Sequence, residues 1–156
     1  MKSQGAQTLI DQVDLAITEI KGFICLNTPE IEKSYLAKFL VVFVCGIYEE
    51  TIETILKQML KKYQSPELDK FFEIYISYSF SNPKCNKIMD LLNRFNSSWG
   101  DIIEALPENN KDAINSIVNN KNAIAHGRPC NLTIQDVENF YNDSKLIIEK
   151  IDDILL

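Results

Sequence analysis

Apolar residues recur along this chain at helical spacing. Ile10, Val13, Ile17, Ile20 and Ile24 lie 3, 4, 3 and 4 positions apart, which sets them on one stripe of a first helix ending near Asn27. Thr28-Pro29 then opens a second helix, with Thr28 as N-cap and Pro29 at the first helical position, running to about Tyr63. Its middle, Phe39 to Tyr48, is apolar all the way round, so it is expected at the centre of the fold or shared with a partner subunit. Ser65-Pro66 repeats the start signal for an aromatic-rich helix through Phe71, Phe72, Tyr75 and Tyr78. Asn82-Pro83 repeats it before the stripe Cys85, Ile88, Leu92 and Phe95, and Asn96 to Gly100 reads as the connection that follows. Beyond Pro107 a helix carries Ile114, Ile117, Val118 and Ile124 to Ala125 or His126, and Gly127 suits the left-handed position that closes it. The last helix is announced by Thr133 and Asp136, spaced as a capping box, with Leu132 able to staple onto Val137. Its stripe is Ile134, Val137, Tyr141, Ser144, Ile148, Ile151 and Leu155. Only Glu73 to Phe80 also admits a strand reading. The pattern predicts an all-α fold, one domain over residues 1–156, built as a bundle of four long helices plus short ones.

Composition narrows the function. With 156 residues and 46% hydrophobic content the chain can bury one core. A net charge of -6 and a pI near 4.8 argue against coating nucleic acid by bulk electrostatics, and leave a local basic groove as the route to such a ligand. Cys25, Cys45, Cys85 and Cys130 are scattered, without a C-x-x-C pair or a second histidine. No metal and no cofactor is therefore expected, and the thiols are read as reduced in a cytoplasmic protein. The opening residues lack an apolar signal region. The Phe39–Tyr48 run is about half the ~20 residues that cross a bilayer, so no membrane partner is expected. Neither a Gly-rich phosphate loop nor a G-x-S-x-G elbow occurs.

The single histidine lies in Asn119-Asn120-Lys121-Asn122-Ala123-Ile124-Ala125-His126-Gly127. On a helix Asn122 and His126 share one face, whereas Lys121 points about 140° away and reaches across only by its length. One reading is a histidine at a helix C-terminus, favourable with the dipole. The other is a site made of an imidazole, a cation and an amide, with Cys130 beside His126 as a weaker nucleophile pair.

Lys121-Asn122-Ala123-Ile124-Ala125-His126-Gly127 resembles the Arg-Asn-x-Ile-Ala-His-Gly signature of HEPN domains, most closely the RiboL-PSP-HEPN branch. Cys45-Gly46-Ile47-Tyr48-Glu49 resembles that branch's Gly-aromatic-Glu segment, so the resemblance runs from about Val13 to Ile151. It implies an all-α fold and a metal-independent endoribonuclease that works as a homodimer with both copies' motifs in one cleft. Lys121 stands where the family has arginine, and Asn119 and Asn120 supply no substitute cation. Lysine keeps the charge but loses the planar fork that grips two phosphate oxygens.

On this resemblance His126 is the acid or base, Lys121 the phosphate clamp, and Asn122 a donor to phosphate or imidazole. Glu49 would orient the motif, and Arg128 would offer a replacement guanidinium. Two functions stay open. One is a toxin or antiphage effector that cleaves RNA, tRNA among the candidate substrates, with an antitoxin or defence protein as partner. The other is a non-catalytic module that binds RNA or a partner protein. Gly46 is read as permitting close helix packing, Lys57, Lys61 and Lys62 as a solvated basic face, and the aromatic set Phe71, Phe72, Tyr75, Tyr78 and Phe80 as core, interface or a base-stacking surface.

Overall fold

The computed structural model describes residues 1–156, apart from the side chains of Glu73, Ser77, Tyr78 and Ser79. It is helical throughout, with no strand among the described residues. The helices are α1 Gln4–Phe23, α2 Glu30–Leu60, α3 Pro66–Ser79, α4 Cys85–Asn93, α5 Trp99–Glu104, α6 Glu108–Ala125 and α7 Ile134–Leu155, with a 3₁₀ turn Lys61–Tyr63 after α2. Four are long, as the periodicity predicts, and the Glu73–Phe80 segment is the end of α3 rather than a strand.

Several boundaries differ for local reasons. Helix α1 stops at Phe23, short of Asn27, because Ile24 turns to extended backbone. Thr28 does not cap α2. Its hydroxyl accepts the Cys25 N–H at 2.9 Å, and Pro29 takes the N-cap position with no side-chain bond. Ser65 and Pro66 do start α3 as expected, the serine hydroxyl accepting the Leu68 N–H. Asn82-Pro83 does not start α4. Asn82 adopts φ 57, and Lys84 becomes the N-cap. Trp99 and Gly100 belong to α5 rather than to a connection. The capping box of Thr133 and Asp136 forms completely.

Three long helices carry the centre. Ala6, Ile10, Val13, Ile17 and Ile20 of α1 are buried, the helix packing along α2 while its Ile10 carbonyl accepts the Tyr141 hydroxyl of α7. Tyr48 and Tyr141 stack with centroids 6.2 Å apart, and Tyr48 Oη shares a hydrogen bond with Ser144 Oγ at 2.8 Å. Buried Asp152 accepts the backbone N–H groups of Lys2 and Ser3, tying the start of α1 to the end of α7. Lys62 donates to the last carbonyls of α7 at Leu155 and Leu156, so one member of the basic cluster is a helix-end cap. Lys57 pairs with Glu53.

Direction follows from these bonds. Residues 48 to 62, the end of α2 and the 3₁₀ turn after it, track residues 144 to 155 of α7, so the two helices run parallel. Helix α6 returns against α7, its Asn110 amide donating to the Asp143 carbonyl. Helix α6 is therefore antiparallel to α2.

Candidate functional site

Helix α6 ends in a Schellman closure. The Gly127 N–H donates to the Ile124 carbonyl at 3.1 Å and the Arg128 N–H to the Ala123 carbonyl at 2.8 Å. Gly127 has φ +63, a left-handed backbone that a Cβ would strain. The Ala-His-Gly end of the motif is thus also a helix stop, with His126 as C-cap. This stop leaves His126 exposed. Among the described residues the imidazole has no hydrogen-bonding partner. Asn122 is half-buried one turn earlier, and its carbonyl accepts the His126 N–H.

Lys121 lies in a different setting. Its Nζ donates to Asn82 Oδ1 at 2.9 Å, and the Asn82 N–H donates to Glu49 Oε1 at 2.6 Å. Lysine and glutamate are therefore linked through one asparagine whose left-handed backbone turns both its amide groups toward them. The segment is held a second time where Asn115 of α6 accepts the Cys85 N–H at 3.1 Å. Cys45, one turn before Glu49, reports the same geometry. Burial pushes its thiol up to about 12, Glu49 adds to the rise, and Lys121 opposes it.

Of the residues predicted from sequence, Glu49 and Lys121 come together through Asn82. His126 and Arg128 are exposed at the end of α6, and the described contacts do not join them to that cluster. Cys130 does not face His126; its Sγ donates to Asn120 Oδ1 at 3.3 Å. Asn82 was missed because Asn-Pro reads as a helix start. The available signal was that asparagine is enriched in left-handed backbone.

Other expectations also change. Gly46 is exposed and packs against no neighbouring helix of its own chain: a Cβ there would meet nothing within 4 Å. Close packing occurs instead at Gly5, where a Cβ would lie 3.1 Å from Thr54. In the aromatic set Phe72 stacks on Phe95 at 5.6 Å, Arg94 covers the Tyr75 ring at 5.7 Å, and Phe71 is exposed. The Tyr78 side chain lies outside the described residues. A hollow of about 400 Å³ opens between α1, α2 and α7, but neither Lys121 nor His126 lines it. Among the described residues no three of His, Cys, Asp and Glu form a metal-binding group, and no helix is long and apolar enough to cross a membrane.

Comparison with protein-family models returns one described as RiboL-PSP-HEPN, matched over residues 8–156. Comparisons with curated proteins and with solved structures returned no match.

Proposed function

Since the chain belongs to the RiboL-PSP-HEPN family, we propose that it is a metal-independent endoribonuclease whose site is completed in a homodimer, acting as a toxin or antiphage effector. The observation that carries this reading is the last turn of α6. The family's motif histidine is presented to solvent with an uncommitted imidazole, on the same helix as a cation held in place.

The chemistry needs no bound group because RNA carries its own nucleophile. The 2′-hydroxyl attacks the neighbouring phosphorus, the O2′–P bond forms, the P–O5′ bond breaks, and the products are a cyclic phosphate and a 5′-hydroxyl. His126 takes the 2′ proton or delivers one to the departing 5′ oxygen, the general acid–base role that imidazole fills most often. Lys121 balances charge on the phosphate oxygens, as a point charge rather than a fork. The bond from Asn82, itself held by Glu49, keeps that charge in one place before RNA arrives. Asn122 and Arg128 add donors at the same helix end, Arg128 supplying the guanidinium that Lys121 lacks.

A second reading, RNA or protein binding without cleavage, is favoured by one observation. Lys121 is already bonded to Asn82, so engaging phosphate means leaving or sharing that partner. The test is to incubate the protein with total RNA and with tRNA in EDTA, beside His126→Ala and Lys121→Arg. Cleavage lost in the first variant and raised in the second supports the nuclease. RNA left intact by wild type and by Lys121→Arg alike, yet retained in a gel shift, supports the binding module. Unchanged turnover in Arg128→Ala removes that residue from the site.

A further inference from the structure

One line of α2 has no covering element. Ile31, Tyr35, Phe39 and Val42 are 64%, 65%, 57% and 39% exposed. Their spacing of 4, 4 and 3 positions keeps them on a single face. Gly46 continues the line four positions on, exposed and with nothing within 4 Å of a built Cβ. Isolated exposed apolar residues are ordinary, but a run in register marks a contact surface. A glycine inside a helix also costs ~1 kcal/mol relative to alanine, and no contact within the chain explains why one stands here.

We propose that this stripe is the two-fold seam for a second copy of the chain, docked antiparallel, with Phe39 of each copy seated over Gly46 of the other. The proposal rests on the homodimer reading above and deepens it, by naming the surface on which that composite site is assembled. An isologous contact must be complementary to itself. An axis running between the two α2 helices, level with the midpoint of Val42 and Phe43, relates Phe39 to Gly46 and Val42 to Phe43. It thereby sets the largest apolar side chain at its centre against the position that has none. Phe39 also stacks on Phe43 at 5.8 Å, so the wedge is already ordered.

Charge selects the direction. Lys38, lying 5.6 Å over the Tyr35 ring, flanks one half of the stripe, and Glu49 and Glu50 flank the other. Antiparallel docking brings Lys38 of one copy close to Glu49 of the other on the same flank of the stripe, whereas parallel docking aligns like charges. Position links the seam to the motif. Helix α6 is antiparallel to α2, and Lys121 is tied to Glu49 of α2 through Asn82. The five further residues to His126 therefore head toward the half of α2 that bears Phe39 and Val42. A second copy at this face lays its own motif along the same cleft.

The test uses the full chain. Sedimentation should show a dimer for wild type. Phe39→Asp and Gly46→Leu should raise its dissociation constant on the order of 30-fold, as loss of a central anchor does. Circular dichroism should stay unchanged, because both positions are exposed within the protomer. In a Cys25→Ser background, Val42→Cys should cross-link the dimer under mild oxidation. Ile31→Cys should not, since the axis separates its two copies by roughly 35 Å along the helices. A strictly monomeric wild type, undiminished dimerisation of both variants, or cross-linking through Ile31→Cys instead would overturn the seam. RNA cleaved by a monomer removes the seam and leaves the nuclease. A dimer linked through Val42→Cys that leaves RNA intact does the opposite.

Discussion

Tyr48 and Glu49 are neighbours on α2 and each anchors a polar network, yet the networks differ in depth and in what they hold. The Tyr48 hydroxyl is fully buried, bonds Ser144 and stacks with Tyr141, whose own hydroxyl reaches the Ile10 carbonyl at 3.4 Å. It joins α1, α2 and α7 at the centre of the bundle. Glu49 is half-exposed and reaches Lys121 only through Asn82, joining α2, the segment before α4, and α6 at the rim. A buried polar group left without its partner costs its full desolvation, so the inner network is expected to govern stability. A half-exposed one can fall back on water, so the outer network is expected to govern where a charge points.

The largest effect should come from the inner network. Tyr141→Ala removes a buried ring and leaves a void, and should lower stability by about 3–5 kcal/mol in chemical denaturation. His126→Ala, on the exposed helix end, should stay within about 0.5 kcal/mol of wild type in the same assay while losing RNA cleavage. A large loss of stability in His126→Ala would break the comparison.

Alkali probes the same contrast. Burial raises the ionisation of both Tyr48 and Tyr141 well above the usual phenol range. Their stabilising contribution is therefore fully present below the unfolded value of ~10 and falls as pH rises toward the higher folded values, because only the unfolded chain ionises freely. Denaturant midpoints should hold to about pH 10 and then drop. A Tyr48→Phe, Tyr141→Phe double variant should drop less steeply.

Asn82 separates backbone from side chain at the rim. Its φ of 57 suits glycine and strains alanine by about 1–2 kcal/mol. Asn82→Ala should therefore lower both stability and cleavage, and Asn82→Gly should lower cleavage alone. Equal cleavage by Asn82→Gly and wild type would show that the bond to Lys121 does not position the cation.

A smaller effect, on stability alone, lies at the start of α7. Thr133→Ala should cost about 1 kcal/mol through loss of the capping box. The Thr133 hydroxyl, and then its N–H, holds the Asp136 carboxyl below its ordinary value. That stability is present above ~3.9 and lost as pH falls through the lower folded value. The Thr133→Ala penalty should shrink in acid.

What the sequence determined by itself were the features written in local spacing. The stripes of α1, α6 and α7, the capping box at Thr133, the Ser65-Pro66 start and the Gly127 stop depend on neighbours within a turn or two, and they stand where periodicity puts them. The motif that joins the chain to its family is equally local. Tertiary structure alone decided that Asn82 gives up a helix start to bridge Glu49 and Lys121, because those partners lie 33 and 39 positions away. It also decided which side of an all-apolar stretch of α2 is left uncovered. Periodicity says only that Phe39, Val42 and Val44 are apolar; whether α1 and α7 happen to cover each one depends on how the helices pack.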